Sequence, residues 1–250
     1  MTDEISLVVL AAGMGRRFGA LKQVTPVGPT DEALVDHTIR DATEAGIDRV
    51  VVVVRPEIRA EVVGHLERRS ARPLTVVEQP GPVAPRTRPW GASEAVALAL
   101  EAVPGPAVVA NADDHYGADA VAALVRWMRS SASGPGRGAL VTWPLAATLS
   151  PQGAVSRAVC QLRPDGTLAG MEEHHGVTVE SGLDLDAPVS MNLWGLPADV
   201  GPALGEAVAA FQAAHADDPD AELPLPTAID TLLRGGDLSV TTLAAGTTWA

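Results

Sequence analysis

Apolar runs bounded by turn residues recur along the chain, at Ile5 to Leu10, Val50 to Val54, Leu74 to Val77, Ala107 to Ala110 and Ala139 to Thr142. Each reads as a strand buried on both faces. Between them, apolar residues fall three or four apart: Leu34, Val35, Thr38, Ile39 and Ala42; Ile58, Val62 and Leu66; Ala95, Val96, Ala99 and Leu100; Val121, Leu124, Val125 and Met128. That spacing predicts amphipathic helices. Strand and helix alternate through the first half, which predicts parallel pairing by right-handed crossovers with helices over both faces of a sheet. Asp31 is placed to cap the first of these helices, ending at Gly46, and Gly117 to precede the one that runs toward Trp127.

The second half loses this regularity. It offers strands at Val159 to Leu162, Val177 to Glu180 and Val189 to Leu196, then helices near Val200 to Ala214 and Leu225 to Leu233, the outline of a mixed-sheet extension. Ser130 to Gly138 and Ala216 to Pro226 are polar and turn-rich but short for interdomain linkers, and no internal repeat is visible. The expectation is one domain over residues 1–250 with two functional halves, about 1–130 and about 131–250.

Composition narrows the classes of partner. The chain has 250 residues, enough for a full core, and 46% are hydrophobic but only 3% aromatic, which suggests close packing of small side chains. Its 18 Lys+Arg against 31 Asp+Glu give a formal charge of −13, which argues against a nucleic-acid partner. An anionic ligand must therefore be met by a local cationic site. Cys160 stands alone, so no intramolecular disulfide or multi-cysteine zinc cage is available; it reads as a small core residue in a reducing compartment. The chain opens Met1-Thr2-Asp3-Glu4, with acids where a signal peptide would carry cations. The apolar run that follows is far short of the roughly 20 residues of a spanning helix. A cytoplasmic protein with no membrane partner is expected, and homo-oligomer assembly is left open.

Leu7 to Gln23 is the most informative stretch: a strand runs straight into Gly13-Met14-Gly15-Arg16-Arg17 and on to Lys22. Glycines let the backbone approach a ligand closely, successive N–H groups can form an anion nest, and Arg17 and Lys22 add charge. A polyphosphate would fit. The third glycine of a dinucleotide fingerprint is missing, and no Gly-Lys-Ser/Thr follows to make a P-loop. A plain strand-to-helix turn is the competing reading of the glycines alone.

Leu10-Ala11-Ala12-Gly13-x-Gly15-x-Arg17, followed by Lys22, resembles the signature of nucleotidyltransferases of the sugar-1-phosphate nucleotidylyltransferase superfamily. The resemblance implies an α/β, Rossmann-like (GT-A type) three-layer nucleotidyltransferase fold with a mostly parallel mixed sheet. It implies that Leu10, Ala11, Ala12, Gly13 and Gly15 wrap the nucleotide, that Arg17 contacts the triphosphate and that Lys22 stabilises developing charge. The short Arg17-to-Lys22 spacing is similar to cytidylyl- and guanylyltransferases that act on molybdopterin.

After the strand at Ala107 comes Asn111-Ala112-Asp113-Asp114-His115-Tyr116-Gly117. Carboxylates at the carboxyl end of a parallel strand sit where open α/β sheets bind ligands. Beside a phosphate they would repel it unless a hard cation such as Mg²⁺ lies between. An Asp-rich turn capping the next helix is the other reading. The resemblance puts the metal on Asp113, with Asp114 beside it in the nucleotide site, and implies that Gln79 and Gly91 read the base. In the second half, Met171-Glu172-Glu173-His174 resembles the segment where sugar enzymes carry Glu-Glu-Lys, so Glu173 would bind acceptor hydroxyls and His174 would stand in for the lysine. Asn192 would face the acceptor. Asp230 is the candidate second metal ligand, although it falls three residues late against the family pattern.

The expected activity is Mg²⁺-dependent transfer of a nucleotidyl group from a nucleoside triphosphate to a phosphorylated small-molecule acceptor, a sugar 1-phosphate first, with release of pyrophosphate. The competing readings are the same donor chemistry on a molybdopterin or phosphorylated alcohol, and a nucleotide- or sugar-binding regulatory domain without turnover.

Overall fold

The computed structural model describes residues 4–17, 20–27 and 29–246, with backbone alone at 16, 17 and 20. Along Val50 to Val54 every side chain is fully buried, and successive valines divide between two cores: Val50, Val52 and Val54 face one, Val51 and Val53 the other. A strand puts neighbours on opposite faces, so a run without polar residues requires cover on both sides. Each such valine contributes about 2 kcal/mol on burial.

In chain order the elements are β1 (Ser6–Leu10), β2 (Arg16–Arg17), β3 (Ala20–Leu21), α1 (Leu34–Glu44), β4 (Arg49–Val54), α2 (Arg59–Glu67), β5 (Leu74–Glu78), α3 (Ala92–Glu101), β6 (Ala107–Asn111), α4 (Ala118–Met128), β7 (Arg137–Pro144), β8 (Val155–Leu162), β9 (Leu168–Val177), β10 (Pro188–Leu196), α5 (Val200–Ala214), α6 (Leu225–Gly235) and β11 (Ser239–Ala244). Among the described residues the main sheet runs β11-β7-β10-β6-β1-β4-β5, with β8 attached to β10 and β9 to β8. Strands β6, β1, β4 and β5 are parallel neighbours; β10 is antiparallel to both β6 and β7. Helices α1, α2 and α4 pack on the face of Leu7 and Val9, and α3, α5 and α6 on the face of Val8. The result is three layers, with the expected mixed sheet. Cys160 is a buried core residue, and burial pushes its thiol up to about 12.

Three local expectations change. Asp31 does not cap α1: it sits at φ 55 in the preceding turn, and the Asp36 carboxylate accepts the Ala33 N–H at 2.8 Å. A carboxylate in the first turn does the work of a cap residue, and this one is also 2.8 Å from His65 Nε2 on α2. The strand expected at Val177 to Glu180 lies earlier, as β9, and ends at Val177; Thr178 to Ser181 is a turn. Its Met-Glu-Glu-His-His core lacks an apolar run because β9 pairs only with β8 within the sheet. Strand β11, parallel to β7, was not expected from the sequence.

Removing Asp36 takes a cap from α1 and leaves His65 without its buried partner. Asp36→Ala is expected to lower unfolding free energy by about 2–4 kcal/mol, measured by urea titration. A change below about 1 kcal/mol would mean that water replaces both contacts.

Candidate active site

The parallel strands are laid outward from β1 through β4 to β5, and the chain then returns to place β6 on the other side of β1. From the carboxyl ends of β1 and β6 the chain heads for opposite edges of the sheet, and the crevice outside such strand ends is where open α/β sheets bind ligands. The glycine loop leaves β1 at that point and the acidic turn leaves β6. Ala112 N–H donates to the Leu10 carbonyl at 3.1 Å, so the two exits stay in register beyond the strands. Ala11 is buried and bonds the Val53 carbonyl at 2.9 Å, whereas Gly13 and Gly15 are exposed.

A short 3₁₀ turn, Lys22–Val24, brings the lysine back over this crevice. Lys22 N–H donates to the Gly15 carbonyl at 2.9 Å, and Gln23 Nε2 donates to the Gly13 carbonyl. The Lys22 ammonium donates to Asp113 Oδ2, a contact 91 residues long in sequence between side chains 32% and 29% exposed. A ligand can therefore reach both groups. Asp114 is held more deeply: Asn111 Nδ2 donates to its Oδ2 at 2.7 Å, and Thr38 Oγ1 to its carbonyl at 3.3 Å. Burial, followed by the Asp113 charge, raises Asp114 to about 6, while the bond from Asn111 opposes the shift. The buried Tyr116 hydroxyl accepts the Asn111 N–H at 2.9 Å and donates to the Met191 carbonyl at 3.0 Å.

Lys22, Asn111, Asp113 and Asp114 form one side of a cavity of about 370 Å³ whose other side includes Glu173 and Asn192. Glu173 is half-buried, which raises its carboxyl above the usual range against the pull of His175 and Arg157. Asn192 sits at φ 61 where the β10–β7 register shifts between Ser190 and Trp194. Asparagine tolerates that left-handed conformation better than most residues. A larger cavity, about 600 Å³, lies by Ile5 and Pro106, at the amino ends of β1 and β6. The smaller one gathers the cation, the carboxylates and the strand exits, and chemistry decides over size.

Several sequence-selected residues stand elsewhere. His174 does not line this cavity: its neighbour Glu173 does, and alternation along β9 turns His174 away, 3.8 Å from Glu172. Asp230 is also outside it. One of its oxygens accepts the Met171 N–H at 3.1 Å and the other lies 2.7 Å from Arg234 Nε, so the carboxylate fastens α6 to β9. Gln79 is buried and gives its amide to the Gly91 carbonyl at 3.0 Å and to Glu94 at 2.9 Å, which ties the exit of β5 to the start of α3. Gly91 packs against the backbone of Leu223. The Arg17 side chain lies outside what the structure describes. Sequence reading passed over Gln23, Arg157, Ser156 and Ser190; the last three line the cavity from β8 and β10. Starting β8 at Val159 rather than Val155 hid Arg157, whose signal was the alternation of Val155, Arg157 and Val159 with their neighbours.

Residues 7–171 match the model of the MobA-like NTP transferase domain. Among solved structures the chain is similar to the inositol-1-phosphate CTP transferase from T. maritima, with TM-score 0.66 and 14% identity over 98% of this chain and 87% of that one. It is also similar to a UDP-glucose pyrophosphorylase complexed with UDP-glucose, with TM-score 0.63 and 13% identity over 96% of this chain and 90% of that one. At these identities the likeness speaks to the fold, which is the Rossmann-like three-layer one that the resemblance implied. No curated protein matches the chain.

A Cβ at Gly91, where φ is 101, would stand 2.7 Å from the Leu223 carbonyl oxygen. Gly91→Ala is expected to cost about 1–3 kcal/mol, read as a lowered Tm. Unchanged stability would show that the Leu223 segment yields freely.

Proposed function

Since the chain belongs to the MobA-like NTP transferase family, we propose that it moves a nucleotidyl group from a nucleoside triphosphate to a phosphorylated acceptor, a sugar 1-phosphate first, and releases pyrophosphate. The observation that carries this reading is the meeting of Lys22 and Asp113 over the crevice between β1 and β6. A lysine there can neutralise charge on a triphosphate, and the exposed backbone of Gly13 and Gly15 lies next to it.

The acceptor phosphate oxygen attacks the α-phosphorus in line. The new P–O bond forms as the bond from the α-phosphorus to the bridging oxygen breaks, and its electron pair leaves with pyrophosphate. No covalent enzyme intermediate is needed. Lys22 stabilises the charge that develops, the glycine loop and Arg17 hold the triphosphate, and Glu173 and Asn192 orient acceptor hydroxyls.

The donor set fits Mg²⁺. Asp113 and Asp114 line the cavity, and Mg²⁺ characteristically takes one or two carboxylates and completes its shell with phosphate oxygens and water. Asp113 would hold it; Asp230 would not, because its carboxylate is engaged by β9 and Arg234. Bound there, the ion would supply positive charge to the phosphate oxygens.

Residues 1–130 would form the donor half and 131–250 the acceptor half of one unit working in the cytoplasm. Among the described residues no helix is long and apolar enough to cross a membrane. The Arg17-to-Lys22 spacing favours a phosphorylated pterin as the second acceptor class.

Pyrophosphate release with Mg²⁺, measured across nucleoside triphosphates paired with sugar, polyol and pterin phosphates, tests the reading. Turnover is expected with at least one pair, and both Lys22→Ala and Asp113→Ala should lose about 100-fold or more with unchanged circular dichroism. Binding without release for every pair would favour a regulatory binding domain, and near-parental rates in either variant would remove that residue from the site.

A further inference from the structure

The short 3₁₀ turn Lys22–Val24 carries a buried amide that the mechanism above does not use. Leu21 before it is fully buried, and Val24 at its end packs into the same core, so the turn is fixed from below. Gln23 between them is only 5% exposed, and its Nε2 donates to the Gly13 carbonyl. A Cβ on Gly13 would stand 3.1 Å from that nitrogen, so the glycine loop lies on the amide itself. The neighbouring Lys22 N–H donates to the Gly15 carbonyl at 2.9 Å. Two carbonyls of the loop are thereby drawn inward, toward the turn.

A trans peptide points its C=O and its N–H in opposite directions, and the peptide joining Gly13 to Met14 is trans. With the Gly13 carbonyl drawn down to Gln23, the N–H of the same peptide, on Met14, is directed away from the turn. Gly13, Met14 and Gly15 are exposed, and none of their N–H groups donates to another described residue. The Met14 N–H is therefore an uncommitted donor on the outer side of the loop, next to the turn that carries Lys22. The far end of the amide says why a glutamine stands here. Gln23 Oε1 is buried and has no partner. A buried acceptor without a donor lowers stability, whereas the Gly13 carbonyl sits in an exposed loop where water can replace the bond. The fold gains little from this side chain; what it sets is the direction of the loop.

We propose that Gln23 is a positioning residue for the donor: by holding the Gly13 carbonyl it aims the Met14 N–H at a phosphoryl oxygen of the nucleoside triphosphate. A donor set in place beforehand binds an anion without the ordering cost that a free loop would incur. The assignment deepens the transferase reading and rests on it for the identity of the anion, while its test reads binding and turnover separately.

The test is Gln23→Met, which keeps the length and volume of the side chain and removes the donor. On the full chain and on this variant, Tm, calorimetric affinity for ATP, GTP, CTP and UTP, and pyrophosphate release are measured. Spectra of ¹⁵N-methionine-labelled protein are recorded with and without the tightest-binding nucleotide, the Met14 amide being assigned through Met14→Leu. In the parent that amide is expected to shift on binding. Gln23→Met should weaken triphosphate binding about threefold to tenfold, the worth of one neutral hydrogen bond. Its Tm should stay within about 2 °C of the parent or rise, and kcat at saturating triphosphate should stay within about twofold. The proposal is overturned if affinity is unchanged, or if Tm falls together with affinity, as a merely structural bond would produce. It is also overturned if kcat falls while affinity holds, because Gln23 would then act by seating Lys22. Should Gln23→Met not fold, the parent decides: a Met14 shift that inorganic tripolyphosphate reproduces supports the assignment, and no shift ends it. If binding responds as stated but no pyrophosphate is ever released, the transfer reading fails while Gln23 keeps its role; if the parent binds no triphosphate, both fall.

Discussion

The contact between Lys22 and Asp113 organises the candidate site, because two carboxylates in succession, in a chain of net charge −13, would otherwise repel any phosphate brought to them. One ammonium, returned over the crevice by a single 3₁₀ turn, offsets one of those charges. The turn is anchored by bonds to the carbonyls of Gly13 and Gly15, so the position of Lys22 and the course of the glycine loop are one constraint. The parallel pairing of β6 with β1 sets Leu10 beside Asn111, so the loop and the acidic turn leave from neighbouring strand ends.

A second constraint links the two halves of the chain. Tyr116, buried below the acidic turn, accepts from the backbone of Asn111 and donates to the carbonyl of Met191 on β10. Its ring packs 5.9 Å from that of the buried Trp143 on β7. The strand that ends in the acidic turn is thereby tied to the strand that carries Ser190 and Asn192. The two sides of the cavity are thus joined through a hydrogen-bonded core, as the proposed transfer between two phosphates would require.

Much of the chain's polar chemistry is spent on architecture. Gln79, Asp230 and Asp36 each resemble a ligand-binding group when read as a residue type, yet each joins two secondary-structure elements through bonds that burial makes necessary. A carboxylate engaged by a backbone N–H and an arginine, as at Asp230, has little left for a cation. Arg157 in the cavity wall follows the same rule, since its guanidinium donates to the buried Thr148 and to the Ser156 carbonyl.

The parallel half of the fold was legible from the sequence because both-face burial writes continuous apolar runs and crossover helices write a three-to-four-residue period; β1, β4, β5, β6 and α1 to α4 follow directly from those patterns. The placement of the glycine loop after β1 and of Asp113 after β6 was legible too, since each follows the end of an apolar run within a few residues. Strands β9 and β11 were not, because strands in the antiparallel extension and at the sheet's edges carry mixed polar faces without a strong period. Which residues share the cavity was decided by tertiary structure alone: a one-residue step along β9 separates Glu173 inside from His174 outside, and the pairing of β8 with β10 and β9 brings residues 156–158 to the same cavity as Lys22 and Asp113, far away in sequence. A strand's own sequence fixes that its neighbours alternate, but only its partners fix which face looks into the site.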